Sequence, residues 1–498
     1  MRLMPLAVTM MLTAFLCPAL HAAGGEKPQD QPAAQPAATP PWSGPSVALS
    51  HGDLKVAENR RYLVHADGTP FFYLGDTAWE LFHRLDRAEA EKYLENRRAK
   101  GFTVIQAVAL AELDGLGVPN AYGHVPLVEN DPARPAVVDG PENDYWDHVD
   151  FIVNAAAARG MFIGLLPTWG DKWNKKWGRG PEIFTPENAA AYGEWLGRRY
   201  ADKPIIWILG GDRPIESDAQ RAVIRAMAAG LKRGDGGRHL MTFHPMGGKS
   251  SSAWFHADAW LDFNMLQSGH AAKDLANYAK VAADYALTPV KPCLDGEPRY
   301  DDHPVRGQKT REEWFDTYDV RQAAWWAVLA GGLGHTYGCH PIWMMRHPRM
   351  KDAKWPSPVR HYWDEVLDLP GAWQMLNVRR LMESRPMLDR VPDQSLIVGD
   401  AGTGADHVQS ARGKDHAFIY VPTGKPVTVA LGKTSGKQVK AWWFDPRTGT
   451  AAAIGEFANE GTREFDPPGD PVRGNDWVLV LDDAEKKYPA PGGAAARR

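Results

Sequence analysis

Two acidic residues, Asp212 and Glu297, each follow glycine just past an apolar run. PIIWILGGDRP carries Asp212 past Gly210 and Gly211, and a run from Val290, with Pro292 inside it, ends in Asp295, Gly296, Glu297, Pro298 and Arg299. Apolar stretches that break into glycine and acid read as buried strands presenting a carboxylate at their C-terminal lip, where a (β/α)8 barrel keeps its active site. Gly296 is expected to let the backbone turn there. Such a pair can protonate a leaving oxygen and serve the anomeric carbon; retaining enzymes hold the two groups about 5–5.5 Å apart, inverting ones about 6.5–9.5 Å. Each acid also has a plainer reading, Asp212-Arg213-Pro214 as a helix cap and Glu297 as a partner of Arg299. Their matching places on two strands favour catalysis. Arg299, turned inward, would keep Glu297 ionised, whereas Asp212 needs burial or a nearby carboxylate to stay protonated.

A second set falls at or just past other strand ends: Asp76, Glu112, Trp169, His244, Gln267, His270 and His335. These are candidate substrate-binding residues, hydrogen-bonding sugar hydroxyls or, for Trp169, stacking on a ring. Each taken alone is more often structural than a ligand. No metal and no cofactor is expected. The first strand ends Gly75-Asp76-Thr77 without the His-x-His of metal-dependent barrels, HExxH is absent, and His335 and His340 are a weak pair. There is no G-x-S-x-G elbow, and Gly331–Gly334 and Gly399–Gly404 lack the strand–turn–helix context of a phosphate cradle.

The elements that must position these residues follow a strand-then-helix rhythm. After a hairpin at Leu54–Val64, turning at Glu58-Asn59, strands are expected at FFYL, FTVIQAVAL, MFIGLLP, the Asp212 segment, HLMTFHP, LDFNML, the Glu297 segment and LGHTY. Helix starts are marked by Asp86 with Glu89, by Asp144, by Thr185-Pro186, and by Thr310 with Glu313. Eight such units predict a (β/α)8 TIM barrel. Beyond Val391, short alternating runs between Gly, Pro and Asp turns (HAFIYVP, VTVALG, VKAWWFD, DWVLVLDD) predict a small all-β, sandwich-like domain.

A chain of 498 residues exceeds one ordinary domain. A net charge of -4 argues against nucleic acid or an anionic membrane as partner. Twenty Trp leave room for sugar-stacking surfaces as well as core. Arg2, the apolar Leu3–Leu16 and Leu20-His21-Ala22 read as a signal peptide, too short to span a membrane, so export to periplasm or medium is expected. Leu16 before Cys17 disfavours a lipoprotein. Cys293 and Cys339 then remain, expected as free buried thiols although one bond between them is conceivable. The expected layout is signal peptide 1–22, flexible linker 23–45, catalytic domain 46–387, β-domain 388–484 and disordered tail 485–498.

The strings GDTAWELFHRL, IQAVALAEL, GLLPTWGDKW, PEIFTPENA, IIWILGGDRP, HPMGGKSSSAWFH, FNMLQSGH and LDGEPRYDDHP, between about Leu54 and Arg390, resemble the apiosidase-like enzymes of glycoside hydrolase family 140. WWFDPRTGT resembles the β-domain that commonly follows in that family, labelled collagen-binding, a label that says nothing about collagen here. The resemblance implies a (β/α)8 barrel and a retaining mechanism acting on apiose linkages of the pectic polysaccharide rhamnogalacturonan II, a plant cell-wall glycan. It implies Asp212, after Gly-Gly, as acid/base and Glu297, in Gly-Glu-Pro, as nucleophile. The readings left beside it are another furanosidase, such as an arabinofuranosidase, and a carbohydrate-binding protein without turnover.

Overall fold

The computed structural model describes residues 40–177, 180–306, 312–350 and 358–493. The signal peptide, most of the linker, Thr310 and the last five residues of the tail lie outside the described residues.

The chain opens with a small antiparallel sheet, β1 (Leu54–Val56), β2 (Leu63–His65) and β3 (Pro70–Phe71). The predicted FFYL strand is thus divided: Phe71 closes the small sheet and β4 (Tyr73–Thr77) begins the parallel one. A short α1 (Leu81–Arg84) and α2 (Arg87–Ala99) follow, the latter opened by the expected Asp86–Glu89 capping box. Next come β5 (Val104–Leu110), α3 (Tyr145–Ala158), β6 (Phe162–Thr168), α4 (Pro186–Arg199), β7 (Ile205–Gly210) and α5 (Asp218–Gly234). The second half holds β8 (Met241–His244), α6 (Ser252–Phe255), β9 (Asn264–Leu266), α7 (Asn277–Tyr285), β10 (Cys293–Asp295), α8 (Thr317–Leu329), β11 (Gly334–Tyr337), α9 (His340–Trp343) and α10 (Pro370–Glu383).

These strands form a curled, half-barrel parallel sheet in the order β11-β4-β5-β6-β7-β8, and a parallel pair, β9 with β10. Backbone hydrogen bonds cross the two seams, among them Asp262 N to Met241 O and Leu333 N to Cys293 O, at 2.8 and 2.9 Å. Strand alternation divides the apolar side chains between two cores. Tyr73, Val104, Val108, Leu166, Ile206 and Leu294 fill the concave side, whereas Leu74, Ile105, Leu165, Trp207 and Leu209 meet the helices. Each such burial contributes roughly 1.5–3 kcal/mol. Cys293 and Cys339 are free and buried.

One helix start differs from expectation. α8 is capped by Asp316, whose carboxylate accepts from Tyr318 and Asp319 N–H while Asp319 answers with the reciprocal bond. Glu313 lies in extended chain, its carbonyl accepting from Val305 N–H at 2.9 Å. The capping-box chemistry is the predicted kind, displaced to the next suitable acid pair.

The C-terminal part is an all-β domain. Its main sheet is antiparallel, built from β12 (Val391–Pro392), β13 (Gln409–Arg412), β14 (His416–Val421), β16 (Gln438–Phe444), β17 (Ala451–Ala458) and β19 (Trp477–Asp483). A ribbon of β15 (Val427–Ala430) and β18 (Thr462–Phe465) covers one face. Ile419, Val421, Trp443 and Leu479 pack under the ribbon, and the alternate residues Phe418, Tyr420, Phe444 and Val480 join the helix-side core of the catalytic part. Two buried bidentate pairs fix the register of this contact: Arg321 with Asp476 (2.8 and 2.5 Å) and Arg385 with Asp482 (2.7 and 2.8 Å). Residues 485–493 are not the expected structureless tail: Tyr488 donates to Asp415 at 2.9 Å and Pro489 O accepts from Arg385 at 2.9 Å.

Candidate active site

β7 ends in three consecutive left-handed residues, Gly210 (φ 98°), Gly211 (φ 106°) and Asp212 (φ 54°). A Cβ on Gly210 would lie 2.3 Å from His244 O, and one on Gly211 would lie 2.6 Å from Gly170 N. Only glycine fits there, and the coil it permits swings Asp212 over the C-terminal end of the sheet. Glu297 arrives two residues past β10. Gly296 is required for a different reason from the predicted turn. Its φ is not positive, and an added Cβ would strike Met265 Cγ at 2.5 Å. Asp295, the last residue of β10, accepts from Ser268 Oγ (2.7 Å), Ser268 N (3.2 Å) and Asn277 Nδ2 (3.1 Å). That latch ties β10 to the loop holding His270.

Asp212 and Glu297 share one cavity of about 470 Å³, also lined by Glu112, Trp169, His270, Trp79, Tyr300 and Arg213, with Trp177, Met246, Gly247, His303, Arg306 and Trp343 at its sides. Around Glu297 the partners are two imidazoles. His270 Nε2 lies 3.0 Å from Oε1, and His244 Nε2 lies 2.9 Å from Oε2, off the line of a straight hydrogen bond. The other nitrogen of His244, Nδ1, accepts the Asp212 main-chain N–H at 3.2 Å, so in a neutral imidazole the proton sits on Nε2, facing the carboxylate. Trp79 and Trp169 pack their rings 5.3 and 5.6 Å from His244. Tyr300 packs on His270 with centroids 4.4 Å apart and accepts from Trp79 Nε1 at 3.2 Å.

The two acids are pushed in opposite directions. Burial alone would raise Glu297, but the close imidazoles of His244 and His270 reverse that and hold it well below the usual carboxylate range. Burial, then the negative charge of Glu297, raises Asp212 to about 6. Arg213 opposes that rise, its Nη1 donating to Asp212 O at 2.8 Å and Oδ2 at 3.4 Å while Nη2 reaches Glu112 at 3.2 Å. Burial raises Glu112 to about 7. Below about pH 6 the arrangement is one ionised carboxylate beside one protonated carboxyl, the division of labour that a general acid and a nucleophile need.

Of the predicted binding residues, Glu112, Trp169 and His270 line the cavity and His244 backs Glu297. Gln267 stands one layer behind Gly247. Three expectations are corrected. Asp76 lies inside β4 and points to the helices, bonded to Arg97 (2.6 Å) and Tyr93 (2.5 Å). His335 lies on the helix side of β11, because its neighbour Thr336 takes the concave side to meet Gln106 at 2.9 Å. Arg299 does not face Glu297; it is buried 5.7 Å from the Trp326 ring, and its charged neighbours are Asp319, Asp274 and Asp295. Arg213, Trp79 and Tyr300 were missed as site residues. Arg213 carried a usable signal, following an acid already singled out. Among the described residues no cluster of His, Cys, Asp and Glu could hold a metal ion, and no helix is long and apolar enough to cross a membrane.

Two oppositely tuned carboxylates share one cleft at the strand ends of a parallel α/β unit, and the relatives make this chain a glycoside hydrolase. A solved structure titled "Glycoside hydrolase" is 37% identical, covering 89% of this chain and 99% of that one with a TM-score of 0.82. A glycoside hydrolase family 5 structure from Bacteroides vulgatus ATCC 8482 is 36% identical, covering 89% and 95% with a TM-score of 0.82. The family model "Apiosidase-like, catalytic domain" matches residues 57–389, so the chain belongs to the apiosidase-like family. The family model "Putative collagen-binding domain of a collagenase" matches residues 391–482. A search of curated proteins finds no match.

Proposed function

We propose that this glycoside hydrolase is an exported apiosidase of family 140 that cleaves apiose linkages in plant pectin, rhamnogalacturonan II in particular, with retention of configuration. The two parallel ladders are read as one (β/α)8 barrel with the cleft at its mouth. The observation that carries the reaction is the pair of carboxylates on one cavity, Glu297 held ionised by two histidines and Asp212 raised to about 6. A Glu297 oxygen attacks the anomeric carbon as its bond to the leaving oxygen breaks, and Asp212 gives its proton to that oxygen. Asp212, now a base, takes a proton from water, whose oxygen displaces Glu297 from the same carbon. The family match supports the sugar, and the apolar leader supports export.

Purified protein is incubated with rhamnogalacturonan II and the products are followed by mass spectrometry, with Glu297→Gln as control. Apiose-terminated fragments from the wild type alone support the reading. No fragments from the wild type sink it. Proton NMR of the first product formed reads the anomeric configuration, and inversion would refute the covalent role of Glu297.

A further inference from the structure

The cavity has two chemically different walls. Glu297 is flanked by His244, His270 and Tyr300, while the Asp212 side carries Arg213, Glu112 and Trp177. The acid that protonates the leaving oxygen marks the side on which the leaving group lies. Trp177 stands on that side, its ring 5.6 Å from the Arg213 guanidinium, which itself bonds the Asp212 carbonyl. It is 54% exposed, whereas Trp79, Trp169, Tyr300 and Trp343 on the same lining are at most 8% exposed.

Trp177 is also held in place. Asn174 anchors its segment, donating from Nδ2 to Pro214 O at 3.0 Å and accepting the Lys176 N–H at 3.1 Å, and Lys176 pairs with Glu216. A large apolar ring fixed at the mouth of a cleft and left open to water is a surface prepared for a ligand. Sugar rings present C–H faces that pack on an indole, and the polar rim beside it suits hydroxyls.

We infer that Trp177 is the platform for the sugar ring on the leaving-group side of the scissile bond, and so a specificity-determining residue. The inference rests on the reaction proposed above. Arg213 orients the indole from one side while its other bonds keep the platform in register with the acid.

The test compares wild type, Trp177→Ala and Trp177→Phe on two substrates: a rhamnogalacturonan II oligosaccharide, and apiofuranosyl fluoride, whose leaving group has no ring. Trp177→Ala is expected to lower kcat/KM on the oligosaccharide about tenfold, mainly through KM, with Trp177→Phe recovering part of it. Both variants should hydrolyse the fluoride at the wild-type rate. Equal losses on the two substrates, or no loss on the oligosaccharide, would overturn the platform. A wild type inactive on both substrates would instead overturn the apiosidase reading, and the platform with it.

Discussion

The main-chain N–H of Asp212 donates to Nδ1 of His244 at 3.2 Å, and Nε2 of the same ring lies 2.9 Å from Glu297. One imidazole therefore joins the backbone of the proposed acid to the side chain of the proposed nucleophile, and the first contact sets the tautomer that the second needs. His244→Phe removes a donor facing the ionised carboxylate. The expected loss in kcat is about 10²–10³-fold, the range for one electrostatic donor in a closed site. Glu297 loses a group that lowers its pKa, so the acid limb of the pH–kcat/KM profile should move upward. An unmoved limb would show that His244 only fills space.

The full pH profile follows from the opposed shifts. Asp212 must be protonated and Glu297 ionised in the free enzyme, so kcat/KM should fall above about pH 6, where Asp212 loses its proton. It should hold to below the usual carboxylate range on the acid side, because Glu297 stays ionised there. The charge of Glu297 is the second cause of the Asp212 rise, after burial. In Glu297→Gln, Asp212 should then titrate lower than in the wild type, toward an ordinary carboxylate. Carboxyl carbon NMR on labelled protein measures it, and an unchanged midpoint would mean that burial alone sets the shift.

Both acids were legible because they sit beyond their strands, where glycine announces a break in the run. Gly210 and Gly211 mark a coil that admits no side chain, and Gly296 marks a close approach by Met265. Inside a strand the sequence alone leaves open which face a residue takes, since a shift of one residue exchanges core and solvent sides. Asp76 and His335 failed on that point, each lying within its strand with its side chain toward the helices. Arg299 failed for a different reason: three-dimensional packing, not its nearness to Glu297 in the chain, placed it beside Trp326. The histidines that ionise Glu297 come from two other strands, His244 ending β8 and His270 lying past β9, a pairing that spacing cannot express.

If Asp76 is structural, its partner should matter for stability and not for turnover. Asp76 and Arg97 are both fully buried with 2.6 Å between Oδ2 and Nε. Arg97→Met leaves a buried carboxylate without its counter-ion, which typically costs about 3–5 kcal/mol. Thermal unfolding should therefore shift strongly downward, while kcat and KM measured well below the new Tm stay at wild-type values. A selective rise in KM without destabilisation would return Asp76 to the substrate site.

The β-domain reaches the cleft indirectly through Arg473. Its guanidinium holds Asp316 at 2.9 and 3.0 Å and Asp319 at 2.8 Å, gripping the N-terminus of α8. The chain leading into that cap pairs with the segment after Glu297: Phe315 N donates to His303 O at 2.9 Å and Asp302 N to Phe315 O at 3.1 Å. His303 and Arg306 from this segment line the cavity. Arg473 and Asp316 are 40% and 51% exposed, so that pair is screened and contributes about 0.2–1 kcal/mol, whereas Asp319 is buried and depends on Arg473 as a counter-ion. Arg473→Ala should lower Tm, because it strips the buried Asp319 of a counter-ion, and raise KM about two- to fivefold as the wall loosens. Arg473→Lys keeps the charge without the fork and should fall between. A KM identical to wild type in both variants would show that the domain contact ends at α8 and does not extend to the cleft.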